Sequence, residues 1–140
     1  MLRTVLDANV YISALLRPEG PPGQIIERFL HDASFAVVLS PTIIDEVLRA
    51  LAYPKVRRLM RDTAVPELWF EDIVVVADLV SGARHVSGVC ADPEDDKYIA
   101  AAIEGRATLL VTGDRQLLAL VEHDGVRIIN PRGFLDLLKA

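Results

Sequence analysis

Short apolar runs that alternate with amphipathic stretches constrain this chain more than any other feature. Leu2–Leu6, Phe35–Leu39, Thr108–Val111 and Val126–Ile129 read as strands, and Arg84–Ser87 reads as a shorter one. The intervening segments carry helical periodicity. Helices are expected over Asn9–Leu16, Gln24–His31, Pro41 to about Tyr53, Lys55–Arg61, Pro66–Ser81, Pro93–Gly105, Asp114–Glu122 and Pro131–Lys139. Strand–helix alternation of this kind calls for a parallel sheet with helices on both faces. The unbroken apolar run Phe-Ala-Val-Val-Leu at 35–39 agrees, because a strand covered on both faces has no polar side. Ser40-Pro41 is a strong helix start, with serine as N-cap and proline at the first helical position. The expected fold class is α/β: a three-layer α/β/α arrangement around a parallel sheet of about five strands.

No linker-like stretch, repeat or low-complexity segment divides the 140 residues, so a single domain over 1–140 is expected. A chain of this size buries roughly 70% of its unfolded surface and folds without a disulfide or structural metal. Its one cysteine, Cys90, excludes an intrachain disulfide, and with no base near it in sequence it reads as a small core residue. His31, His85 and His123 show no zinc spacing. Asp7 interrupts the apolar N-terminus, which argues against a signal peptide. The densest apolar stretch, Ile73–Val80, contains Asp78 and is too short to cross a bilayer. A reducing, cytoplasmic setting without a membrane partner is the expectation.

The acidic residues carry the chemistry. In open parallel sheets ligands bind outside the carboxyl ends of the strands. Asp7 follows the first strand directly, and Asp114 follows the 108–111 strand after a Thr-Gly turn. Two carboxylates thus leave the same edge of the sheet, although capping explains each one alone. Asp96 shares a helical face with Ile99, Ala100 and Ile103, and a carboxylate on an inward face is costly without a partner. Asp92, before Pro93, reads as an N-cap, and Asp95 reads as its capping-box partner. Glu46 lies on one margin of the apolar arc of its helix, where it either reaches toward the strand ends or is simply solvated. Carboxylates gathered at one site repel each other, and a divalent cation removes the repulsion. An oxygen-only set without His or Cys suits Mg²⁺ or Mn²⁺ and phosphate chemistry.

These residues resemble the PIN domain family over nearly the whole chain. The likeness rests on Val-Leu-Asp-Ala-Asn-Val at 5–10, Glu46 within 40–47, Asp-Pro-Glu-Asp-Asp-Lys-Tyr-Ile-Ala-Ala-Ala at 92–102, and Leu-Val-Thr-Gly-Asp-Arg-Gln-Leu-Leu at 110–118. It implies a Rossmann-like sheet, metal-dependent endoribonuclease activity and homodimers. It often implies a VapC-like toxin role with a cognate antitoxin protein as partner. By carry-over Asp7, Glu46, Asp96 and Asp114 are the metal-binding, catalytic acids, with Asn9 and Thr112 in support. The Ala-Ala pair four and five residues on selects Asp96 over Asp95. Asp92 and Asp95 stay open as further ligands, because the run is richer in acid than many family sequences.

The net charge of −5 argues superficially against RNA. Without the four proposed ligands it is −1, and one bound divalent cation makes it +1, so the acidity is largely the site itself. Lys55, Arg57, Arg58 and Arg61, with Arg49 upstream, are candidate phosphate contacts, though a solvated helix face explains them as well. A haloacid-dehalogenase-like phosphatase also begins with a strand followed by Asp, but it needs a second Asp where this chain has Asn9. A receiver-like switch needs paired acids after the first strand, and none occur. A non-catalytic PIN-like partner-binding domain is disfavoured by the intact acid set.

Overall fold

The computed structural model describes residues 1–32, 34–60 and 65–139. In chain order these form β1 (Leu2–Leu6), α1 (Ala8–Leu16), α2 (Pro21–Asp32), β2 (Phe35–Leu39), α3 (Pro41–Leu51), α4 (Pro54–Leu59), α5 (Pro66–Val76) and β3 (Asp78–Leu79). A 3-10 turn at Pro93–Asp95 leads into α6 (Asp96–Glu104). Then come β4 (Leu109–Val111), α7 (Arg115–Leu118), β5 (Glu122–His123), β6 (Val126–Ile129) and α8 (Pro131–Lys139). The sheet runs in the order β3-β2-β1-β4-β6-β5. All pairings are parallel except β5 with β6. Helices flank it in the three-layer α/β/α arrangement.

This order decides where a ligand can bind. The first part of the chain builds outward from β1 through β2 to β3, and the second part builds the other way from β4. The direction reverses between β1 and β4, and the crevice at the carboxyl ends of those two strands is the topological switch point. Asp7 and Thr112 are the residues that leave them.

The core is one apolar cluster. Tyr11, Tyr98, Phe35, Phe70 and Phe134 are its largest fully buried members. Phe35 meets Phe134 edge-on at 5.0 Å and Phe29 at 5.7 Å, which joins β2 to α8 and α2. Gly105 follows the end of α6, and a Cβ there would stand 2.5 Å from Val38 Cγ1. The missing side chain lets the end of α6 lie close on β2. No described helix is long and apolar enough to cross a membrane.

Three expected elements differ. The helix over 66–81 stops at Val76, and Asp78–Leu79 pairs with β2 as an edge strand. The β-branched run Val74–Val76 suits either state, and Arg3 draws Asp78 to the sheet through a 2.5 Å ion pair. Arg84–Ser87 is not a strand. Gly82 and Gly88 take φ of +80° and +70°, and Glu104 accepts from Ser81 N (3.0 Å), Ser81 Oγ (2.7 Å) and Arg84 N (3.3 Å). The helix over 114–122 ends at Leu118, because Glu122–His123 turns back on β6 through Asp124 and Gly125. Both turn residues have positive φ, as a two-residue type I′ hairpin requires.

Candidate metal centre

Each acid at the switch point is positioned by the element it begins or ends. The Asp7 backbone N donates to Val111 O at 3.0 Å, which fastens the end of β1 to the end of β4. Its carboxylate, 5% exposed, accepts from Thr112 Oγ1 (2.7 Å) and from the backbone N of Asn9 (3.3 Å). The Thr112 hydroxyl also accepts from Asp114 N at 3.0 Å, so one side chain orients both acids. Asp114 caps α7 through Gln116 N (2.9 Å) and Asp92 caps the 3-10 turn through Glu94 N (3.0 Å). Capping and cavity lining are thus compatible at these positions.

Glu46 reaches the same region from α3. It accepts from Tyr98 Oη and is ion-paired with Lys97 Nζ. The Tyr98 hydroxyl accepts in turn from Ala8 N at 3.2 Å. Lys97 lies 3.7 Å from Glu94 as well.

Asp7, Glu46, Asp92, Asp95 and Asp114 line one cavity of about 380 Å³, with Asn9 beside them. Burial pushes the Asp7 carboxyl above its ordinary value, and the bonds from Thr112 and Asn9 oppose this. The Asp95 carboxyl is pushed up to about 6, first by burial and then by the charges of Asp7, Asp92, Asp114 and Glu46. Asp95 is therefore a member of the acid group, not a capping-box partner. Its side chain makes no cap bond.

Asp96 turns elsewhere. Its carboxylate is buried at 6% exposure and accepts from Cys90 N at 2.7 Å. It lines a second cavity, on the side of the loop at 81–90. The inward carboxylate that the helical face predicted is there, and a backbone amide is what pairs it. The same contact acts on Cys90: burial, then the Asp96 bond and charge, push its thiol up to about 12, which leaves it a poor nucleophile.

The model of the PIN domain family matches residues 3–116. The chain belongs to the PIN domain family. An uncharacterized protein of Methanocaldococcus jannaschii is 29% identical over 132 residues, which cover 92% of this chain and 81% of that protein. Among solved structures the chain resembles VapBC2 from Rickettsia felis, bound to a DNA fragment from their promoter. The TM-score is 0.61 at 11% identity, with 92% of this chain and 98% of that chain covered. A protein of Pyrobaculum aerophilum superposes with TM-score 0.58 at 19% identity, over 99% of this chain and 90% of that one. PIN domains are generally nucleases that use divalent metal ions.

The acids of this PIN domain fit such an ion by chemistry. They supply only oxygen donors, and two of them carry raised carboxyl pKa values. A bound divalent cation would offset both the burial and the mutual repulsion that raise them. Among the described residues no three His, Cys, Asp or Glu side chains are drawn tightly enough to enclose a metal. Asp114 is engaged in its cap bond and Glu46 in its pair with Lys97.

The cations are arranged differently from the sequence expectation. Arg57 pairs with Glu67, Lys55 and Arg58 are exposed on α4 away from the cavity, and Arg61 lies outside the described residues. Arg49 and the exposed Tyr53 line the acidic cavity. Lys97 and Tyr98 were not anticipated as site residues. The adjacency of Lys97 to Asp96 was visible in the sequence, but only packing reveals that α6 faces Glu46.

Proposed function

We propose that this PIN domain is a Mg²⁺- or Mn²⁺-dependent endoribonuclease whose metal-holding acids are Asp7, Glu46, Asp95 and Asp114, with Asp92 at the margin. The observation that carries the reading is the single cavity at the β1/β4 switch point into which these carboxylates open. Asp95 takes the place that the sequence pattern gave to Asp96, because Asp95 lies among the other acids and Asp96 serves the Cys90 amide.

The chain's own groups prepare the site. Thr112 holds Asp7 and Asp114 in register, and Asn9 bonds Asp7 through its backbone. Tyr98 and Lys97 point the Glu46 carboxylate and offset part of the local negative charge. Arg49 on the cavity wall offers a cation to the incoming phosphodiester, and Tyr53 offers a ring to a base. A divalent cation held by these acids supplies Lewis-acid stabilisation of the charge that develops on the phosphoryl oxygens during hydrolysis.

The toxin role, an antitoxin partner and a homodimer belong to the same proposal, supported by family membership and by the fold shared with VapBC2 of Rickettsia felis. The decisive test is Mn²⁺-dependent cleavage of a mixed RNA pool by wild type, Asp95→Asn and Asp96→Asn. Cleavage by wild type and loss in Asp95→Asn are expected. No cleavage by wild type, or cleavage indifferent to chelator, would end the nuclease reading. Sedimentation at micromolar concentration tests the dimer.

A further inference from the structure

Beside the acidic cavity lies a second one of about 310 Å³, bounded by the start of α3, the loop at 81–90 and the first turns of α6. Arg49 and Glu94 line both cavities, so a polymer with a phosphate in the first continues directly into the second.

The charge pattern tells what the second cavity suits. Arg3, Arg28, Arg57 and Lys97 are each paired with an acid. The Arg49 and Arg84 guanidiniums, both on this cavity, make no ion pair among the described residues. They are positively charged groups available to phosphate oxygens, for which arginine's planar fork is well shaped. Deeper in, the wall is acidic. Asp96 is 6% exposed, its Oδ1 is fixed by Cys90 N, and its Oδ2 makes no hydrogen bond among the described residues. A free inorganic anion is repelled by such a wall. A group that presents hydroxyl or amino hydrogens is attracted to it, because an ionised carboxylate only accepts. Thr42 adds a hydroxyl, and Val86 and Ala100 add apolar surface for the face of a ring. The loop side of the cavity is held in shape by Glu104 at one end and Asp96 at the other. Rim arginines, a buried acceptor and small apolar walls together match phosphate, sugar or base edge, and base face.

We propose that this cavity is the subsite for the nucleoside that flanks the scissile phosphate, with Arg49 and Arg84 holding the adjoining phosphates. This rests on the nuclease reading above, but it is tested without catalysis. Titration of the metal-free, EDTA-treated protein with the four ribonucleoside 5′-monophosphates, followed by NMR, reads it directly. Amide shifts are expected at Thr42, Gly82, Arg84 and Ala100. Binding should weaken about tenfold in Arg84→Ala, whose side chain sits on an exposed loop, and similarly in Ala100→Leu, which fills the space. Shifts confined to the acidic cavity, no shifts at all, or inorganic phosphate reproducing the shifts with equal affinity would overturn the assignment. So would equal affinity for wild type and Arg84→Ala. Mononucleotide binding here together with no Mn²⁺-dependent RNA cleavage would separate the two claims, retaining a nucleotide site and removing the scissile bond from it.

Discussion

Tyr11 and Tyr98 are both completely buried, yet they belong to two differently built regions. Tyr11 sits in the apolar core: its ring meets Phe70 edge-on at 5.4 Å, and its hydroxyl finds no partner among the described residues. The Tyr98 ring is packed in the same apolar core, but its hydroxyl is connected: it accepts from Ala8 N and donates to Glu46. Burial pushes both phenols up, and at Tyr98 the charge of Asp7 adds to it. An unsatisfied buried hydroxyl costs stability, whereas a satisfied network sets geometry. The difference teaches that the Tyr11 side was packed for bulk, and the Tyr98 side for the placement of carboxylates.

Substitution of the rim acids should show the largest effect. Asp7→Asn and Asp95→Asn are expected to lower Mn²⁺-dependent RNA cleavage by about two to three orders of magnitude, the consequence of losing several kcal/mol of charge stabilisation. Asp96→Asn, which still offers an oxygen to Cys90 N, should stay within about tenfold of wild type, the lower range of effects for supporting residues. Initial cleavage rates on one RNA decide this, and the reverse ranking of Asp95 and Asp96 would break the assignment of the rim.

Next in size is the network itself. Tyr98→Phe strands Ala8 N and frees one side of Glu46, and is expected to reduce cleavage about 10- to 100-fold. It should also cost about 1–3 kcal/mol in urea unfolding. A Tyr98→Phe protein with normal stability and activity would show that the network holds nothing in place.

A smaller effect concerns pH. Asp7 and Asp95 hold their protons more tightly folded than unfolded, Asp95 up to about 6 from an ordinary 3.8. The folded state therefore binds more protons between those values, and the metal-free protein should lose stability as pH rises through that window. Saturating Mg²⁺ or Mn²⁺ should remove the loss by binding the ionised acids of the folded state. Thermal melting at pH 4.5 and 6.5, with and without metal, tests the sign. A metal-free protein that gains stability over that range would contradict the packing of acids at the rim.

The smallest change is expected on the apolar side. Tyr11→Phe deletes a hydroxyl that bonds nothing among the described residues and should be neutral or stabilising by up to about 1 kcal/mol. A loss of more than that in urea unfolding would mean that the two tyrosines are not different in kind.

Much of this was legible before any coordinates. The strands Leu2–Leu6, Phe35–Leu39 and Val126–Ile129 and the helix Pro131–Lys139 stand where their patterns put them, because apolar runs and caps act over a few neighbouring residues. The acids after β1 and β4 followed from the rule for strand ends. The Asp124-Gly125 hairpin was also written in the sequence as a turn dipeptide, but the apolar spacing upstream of it mimicked a longer helix. The segment 77–90 was not legible, because Glu104 and Asp96, residues from α6, decide its path.

What the sequence determined by itself is the grammar of strand, acid and helix, since periodicity and capping are local and an acid after a parallel strand always leaves by the same edge. Only the tertiary structure gives the two adjacent acids different surroundings, Asp95 on the acidic cavity and Asp96 on the other. Asp95 ends a 3-10 turn and Asp96 begins α6, and one residue's step around a helix carries a side chain about 100° to another neighbourhood. Likewise only packing separated Arg49, which lines the acidic cavity, from Arg57, which is neutralised by Glu67. A charge's use depends on what the fold brings against it.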